Sequence, residues 1–230
     1  MATRWFPDQG GPAGEPSAHD CVLCPPLRFR LNEMAGLPPG VLARDADFYL
    51  APDLAPLVEG HLLLVSERHW RCGGQLPPAL WQRAEGWRAE VSGRYARAYG
   101  DPGVLVLEHG PASPGGGGAC VDHFHWHLLP DAGALGGRVR AAAEAAGLTG
   151  RPAGHEALRR LHDEGRSYVM VGGHAYPADE LPGQFLRGAV LGEGSPVWRW
   201  QELFGLPPSR RRFHATLKAL ARGQRCDSHQ

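Results

Sequence analysis

Three histidines occupy alternate positions, His123, His125 and His127, in the stretch GGGGACVDHFHWHLLP, just after a run of four glycines. On an extended strand alternate residues share a face, so the imidazoles form a polar row while Phe124, Trp126 and Leu128 point the other way. Neutral imidazole ligates metals, and near neutral pH it also acts as a nucleophile or acid–base group. Three histidines at this spacing could therefore hold one metal ion or run a reaction, and spacing alone does not choose. The preceding glycines, among them Gly116, Gly117 and Gly118, place no side chain over their amides, which suits close approach of an anion.

A second group lies near the start of the chain. HDCVLCPP contains Cys21 and Cys24 in a C-x-x-C spacing. Such a pair reads as two ordinary thiols, a redox couple or half a metal site. His69, in ERHW, and His123 are available as further ligands, and a Cys₂His₂ set suits tetrahedral zinc.

These groups need elements to position them. Residues 47–51 and 61–66 read as two strands joined by a Pro-rich turn, the second too uniformly apolar for a wet face. Leu80, Ala84, Trp87, Val91 and Tyr95 recur at three- or four-residue steps, an amphipathic helix opened by Pro77 and Pro78 and stopped near Gly100. Residues 103–110 and 121–129 read as a third and a fourth strand. Strand–strand–helix–strand–strand with short connections predicts an α+β fold, an antiparallel sheet with a helix packed on it. After Pro130 the pattern becomes mainly helical, with helices expected over 138–147, 154–165, 181–190 and 210–222 and one strand over 167–173. The expected organisation is a mobile tail (1–18), a core (19–130), a mainly helical extension (131–222) and a polar tail (223–230).

Composition narrows the function classes. The chain has 230 residues, 24 basic and 24 acidic, hence a formal net charge of +0. No large basic surface for nucleic acid is indicated. No apolar run approaches a membrane span, and residues 1–20 lack an apolar signal core, so the protein is read as cytoplasmic. Five cysteines without a signal peptide argue against a disulfide scaffold and toward metal binding or free thiols.

HFHWHLL resembles the histidine-triad (HIT) signature, His-φ-His-φ-His-φ-φ with φ apolar. DADFYLAPDLAPLVEGHLLLVSERHW is similar to the strand pair that precedes it in that superfamily, and the resemblance runs from about Cys21 to Pro130. It implies a HIT-like sheet and action on nucleoside phosphates or their conjugates. His125 would attack the α-phosphorus and form a nucleotidyl-imidazole intermediate. His127 would contact the phosphate and help manage the leaving-group proton. The loop amides from Gly116, Gly117 and Gly118 to Cys120 would neutralise phosphate charge. Zinc-containing HIT proteins and the related hexose-1-phosphate uridylyltransferases use two N-terminal cysteines, a histidine after the second strand and the first triad histidine. Cys21, Cys24, His69 and His123 match those positions, implying a structural zinc. Relatives are commonly homodimers, so a homodimer is a possible state.

Other positions depart from the pattern. Glu108, in LEHGP, stands where small HIT hydrolases often carry an amide facing the phosphates; ionised, it would repel a polyphosphate. It could instead orient a histidine, bind a metal or point outward, and His109 after it would face the opposite side. Cys120 replaces a hydroxyl that contacts the leaving group in relatives, or is a small packed residue. Asp45, Asp47 and Asp53 are candidates to hold a ribose, Asp47 foremost, against a default of turn-forming aspartates. Arg210, Arg211, Arg212, Arg222 and Arg225 read as a solvated basic face, Trp198 and Trp200 as packing residues, and Cys72 and Cys226 as without chemistry. Together these features favour a nucleotide-conjugate hydrolase of the phosphoramidate or dinucleoside polyphosphate type. A nucleotidyltransferase or phosphorylase, or a zinc-stabilised nucleotide-binding module, is the alternative.

Overall fold

The computed structural model describes residues 21–24, 26–192, 195 and 197–221. The expected tails over 1–18 and 223–230, with Arg222, Arg225 and Cys226, lie outside them. The apolar run expected as the second strand is Leu62–Ser66, buried along its whole length. It is an inner strand covered on both faces, which is why it lacks alternation.

The strands are β1 (Ala43–Arg44), β2 (Phe48–Pro52), β3 (Leu62–Ser66), β4 (Val104–Gly110), β5 (His125–Pro130), β6 (Arg151–Pro152), β7 (Tyr168–Val171) and β8 (His174–Pro177). They form one eight-stranded sheet in the order β1-β2-β3-β5-β4-β7-β8-β6, with neighbours antiparallel. The helices are α1 (Leu27–Met34), α2 (Pro78–Tyr99), α3 (Ala134–Ala145), α4 (His155–Asp163), α5 (Phe185–Leu191), α6 (Trp200–Leu203) and α7 (Pro207–Leu220). The α+β class is as expected. The region after Pro130 contributes more sheet than its sequence suggested: β7 pairs directly with β4, from Leu107 opposite Val171 to Gly110 opposite Tyr168.

Helix α2 begins with Pro78 behind Pro77 and ends at Gly100, whose φ of 77° closes the last turn in the left-handed region. It buries Ala84, Trp87, Val91 and Tyr95 with Phe48, Leu50, Leu62, Leu64, Trp126 and Leu128 of the sheet. Burying each large apolar side chain there stabilises by roughly 1.5–3 kcal/mol. The other face carries two further apolar groups. One joins Cys21, Leu23 and Cys24 to Tyr49, Leu63 and Val65; the other joins Leu105, Leu107 and Leu129 to Val139 of α3 and to Leu186 and Val190 of α5. No helix among the described residues is long and apolar enough to cross a membrane.

Two of the departures from the expected boundaries have a local cause. The fourth strand starts at His125, not at 121, because Phe124 N–H turns to Trp70 O at 2.5 Å and the His123 carbonyl is taken by the His125 ring. Helix α5 starts at Phe185, after Gln184 with φ 64°. Helix α1 and the short β1, β6, β8 and α6 carry too few residues, or too weak an apolar period, to announce themselves.

Candidate functional site

The pairing of β5 with β3 and β4 sets the site. Leu63 and Leu107 flank His127, so the histidine side chains lie on the face away from α2. His125 and His127 therefore stand side by side, ring centroids 4.9 Å apart. Both are buried beneath the N-terminal segment and α5.

Hydrogen bonding fixes which nitrogen of each ring carries the proton. A backbone carbonyl can only accept, so His125 Nδ1–H donates to His123 O at 2.6 Å, and Nε2 keeps a free lone pair. Cys120 Sγ lies 3.5 Å from that Nε2. For His127 the chain starts at Leu57, whose amide donates to His61 Nδ1 at 3.1 Å. His61 then carries its proton on Nε2, 3.0 Å from His127 Nδ1, which must accept. The single proton of His127 sits on Nε2, buried and without a partner among the described residues. His125 thus offers a nucleophilic nitrogen and His127 an N–H donor.

Burial holds these rings neutral. It lowers His125 and His127 below the ordinary imidazole range and takes His61 down to about 4, against an opposing pull from Asp53. Asp53 Oδ2 lies 3.9 Å from His61 Nε2 and 3.9 Å from His127 Nδ1. Burial would raise the Asp53 carboxyl, but Arg187 foremost, with His61 and the Ala55 amide, brings it below its ordinary value. Arg187, from α5, donates to Asp53 Oδ2 at 3.1 Å and to Ala55 O at 2.5 Å. His61 and Arg187 are site residues that sequence reasoning missed, and Asp53, considered there only as a ribose contact or a turn former, joins them here as the carboxylate beside His61 and His127. The Gly-His start of the strand was the one signal for His61; nothing local connects Arg187 with Asp53, 134 positions away.

His125, His127, Asp53, Arg187, Arg28 and Cys120 contribute to the lining of a cavity of about 40 Å³. That is room for roughly two or three waters.

The four expected metal ligands come together. Cys21 Sγ and Cys24 Sγ each lie 3.3 Å from His123 Nδ1, and Cys24 Sγ lies 3.4 Å from His69 Nδ1. All four ligand atoms fall within 4.8 Å of one another. Zinc bond lengths imply S···N edges of about 3.5 Å in a tetrahedron, so the donor set fits that ion. His123 Nε2–H donates to Ser66 O at 2.8 Å, which turns the Nδ1 lone pair toward the thiols, as an outer partner of a metal ligand does. Bonding from Cys24, then from His123 and His69, holds the Cys21 thiol far below its ordinary value against the effect of burial, and the bond to Cys21, with burial, pushes Cys24 up.

The remaining expected residues go elsewhere or serve the loop. Asp47 pairs with Arg83 of α2 at 2.9 Å, beside Asp45, which binds the same arginine and Trp87 Nε1; neither meets the histidines. Glu108 is fully buried on the α2 side, accepting from Gly73 N at 2.6 Å, Tyr168 OH at 2.8 Å and Trp126 Nε1 at 2.9 Å. It is neither an outward carboxylate nor a partner of a triad histidine. Burial raises its pKa, opposed by those bonds. His109, on the opposite face, is the β4 residue that comes to the site: one ring nitrogen lies within 4.8 Å of ligand atoms of Cys120 and His127. Gly116, Gly117 and Gly118 form a short helical turn pressed against the C-terminal region. A Cβ on Gly117 would come within 2.7 Å of Ser167 Cβ, and one on Gly118 within 2.8 Å of Pro182 O. Trp200 reaches the cavity wall, and Arg212 donates to Pro56 O.

No family model matches the sequence, and no curated protein matches it. Among solved structures, the chain is similar to a histidine triad nucleotide-binding protein of Sulfolobus tokodaii, at 20% identity and a TM-score of 0.37 over 45% of this chain and 68% of that one. A HIT family protein of Bacillus anthracis aligns at 18% identity and 0.36 over 48% and 74%. A zinc-bound histidine triad family protein of Mycobacterium smegmatis aligns at 22% identity and 0.32 over 50% and 76%.

Proposed function

We propose that this protein is a histidine-triad enzyme that hydrolyses nucleotide conjugates through a covalent nucleotidyl-His125 intermediate. One observation carries the reading: His125 Nδ1 is bonded to the His123 carbonyl at 2.6 Å, so its lone pair lies on Nε2, beside the unpartnered N–H of His127. Attack through Nε2 leaves the adduct's positive charge on a ring whose Nδ1–H is already held by a carbonyl, which stabilises it. His127 Nε2–H would donate to a non-bridging phosphoryl oxygen as charge builds there. Water then breaks the P–N bond and returns the electron pair to Nε2. A nucleotide needs roughly 300 Å³ or more, so binding includes displacement of the segments covering the cavity.

In this reading Cys21, Cys24, His69 and His123 hold a structural zinc. Such an ion would fix the position of His123, and with it the carbonyl that orients His125. The test is His125→Asn. Loss of dinucleoside polyphosphate hydrolysis by orders of magnitude, with nucleotide affinity retained, supports the reading; undiminished turnover overturns it.

A further inference from the structure

Among the described cysteines, Cys21, Cys24 and Cys72 are buried, whereas Cys120 is half-buried and has no part in the reaction proposed above. It lines the cavity of about 40 Å³ beside the histidines. A space for roughly two or three waters is closed to a nucleotide until its cover moves, but it admits a molecule as small as a peroxide.

The rings around Cys120 present donors that lack an acceptor. His109 Nε2 accepts from the Leu186 amide at 3.4 Å, so the ring proton sits on Nδ1, which is buried and without a partner among the described residues. The Nε2–H of His127 is in the same position. His109 is 4% exposed and His127 2%, so neither N–H turns to water instead. One nitrogen of each ring and Cys120 Sγ all lie within 4.8 Å of one another. A thiol sulfur is a weak acceptor and leaves both donors poorly satisfied; an oxygen bonded to that sulfur would serve them far better. The thiol proton has its own acceptor, because the His125 Nε2 lone pair lies 3.5 Å from Sγ. The catalytic reading gives the His127 N–H a phosphoryl oxygen to hold, but it gives His109 no task.

We infer that Cys120 is an oxidation site: a peroxide converts its thiol to a sulfenic acid whose oxygen accepts from His109 Nδ1–H and His127 Nε2–H and whose O–H caps His125 Nε2. With hydrogen peroxide, Sγ attacks one oxygen and the S–O bond forms. The O–O bond breaks, and its electron pair leaves on the other oxygen, which takes the thiol proton and departs as water. Sulfur is oxidised by one electron pair and the peroxide is reduced by it. A small thiol reverses the step: its attack on the sulfur expels water and forms a mixed disulfide, and a second small thiol releases Cys120 from that disulfide. Cys72 cannot take this part, since it lies in the apolar group under α2, across the sheet. In the oxidised form the nucleophilic lone pair and the phosphoryl donor are both occupied. Turnover, which rests on the catalytic reading above, therefore stops until the sulfur is reduced.

The experiment treats the full-length protein with hydrogen peroxide in the presence of dimedone, which captures sulfenic acids, and maps the labelled peptides over time. Label is expected on Cys120 first. Its absence there, its arrival on Cys21 or Cys24 ahead of Cys120, or labelling of Cys72 at an equal rate overturns the inference. A second series removes the peroxide with catalase and adds dimedone after increasing delays, which reads the lifetime of the sulfenic acid. Losing one hydrogen bond in His109→Leu should shorten that lifetime about fivefold. His109→Asn, which keeps an amide N–H close to the Nδ1 position, should restore it. Equal lifetimes in the wild type and both variants overturn the role of His109. Hydrolysis of a dinucleoside polyphosphate should fall in step with oxidation and return with dithiothreitol; full turnover by the oxidised protein overturns the capping of His125. Absence of turnover before any peroxide is added overturns the catalytic reading, while the labelling of Cys120 still decides the oxidation site.

Discussion

Replacing Arg187 by methionine tests whether the C-terminal region is part of the site. Arg187 is 1% exposed and holds Asp53 Oδ2 at 3.1 Å, Ala55 O at 2.5 Å and Trp198 O at 3.2 Å. Methionine keeps much of the side-chain volume but leaves Asp53, 5% exposed, without its counter-charge. Breaking a buried pair on one side costs about 3–5 kcal/mol, a sizeable share of the roughly 5–15 kcal/mol that stabilises a typical domain. Urea unfolding at pH 7 should register that loss as a lower midpoint with an unchanged slope. Without Arg187, burial raises the Asp53 carboxyl, so the deficit is largest at pH 7 and shrinks as falling pH protonates it. Asp53→Asn in the same background removes the stranded charge and should recover about 2 kcal/mol relative to additivity. A cost below about 1 kcal/mol for Arg187→Met, or strict additivity in the double variant, refutes the argument.

Three further outcomes follow from the same contacts. The folded-state pKa of His61 is depressed from 6.5 to about 4. Its contribution is thus present above pH 6.5 and lost as pH falls toward 4, a change of about 3 kcal/mol. In urea melts across that window His61→Phe should show a correspondingly shallower decline; parallel curves would contradict this. The purified protein should carry about one zinc per chain by elemental analysis. Chelation or Cys24→Ser should lower its melting temperature, and a metal-free preparation of undiminished stability would remove the structural zinc. Finally, Gly117→Ala, with φ +62° and a Cβ 2.7 Å from Ser167 Cβ, should cost more in thermal unfolding than Gly115→Ala, with φ +72° and open space around it; equal costs would contradict the packing role of the glycine turn.

What the sequence disclosed follows from how local each signal is. The α2 period, the all-apolar β3 and the alternation of His125 with Trp126 are properties of single elements, and each is found where it was expected. The Cys21, Cys24, His69 and His123 grouping was also legible, through ligand chemistry and family resemblance. Glu108 and His109 were the harder case. Alternation says that they face opposite sides, but only the register, with Leu107 opposite His127, says which side holds the triad. Asp47 likewise was judged without knowing that Arg83 of α2 stands 2.9 Å away. Arg187, and its pairing with Asp53, were out of reach for another reason. Their pairing depends on how α5 returns across the sheet, and nothing in GQFLRG encodes its distant partner. The proton position on His127 needed a chain of three residues, Leu57, His61 and His127, visible only once the turn after β2 is folded.

The most direct test of the account is to trap the adduct. The protein is mixed with an activated nucleotide ester, quenched within milliseconds in alkali to protect a phosphorus–imidazole bond, and read by intact mass and peptide mapping. The account predicts a gain of one nucleotidyl group on the peptide carrying His125, forming and decaying at rates consistent with turnover and absent in His125→Asn. A label on any other residue, or steady turnover with no bound nucleotidyl group at any time, would contradict it.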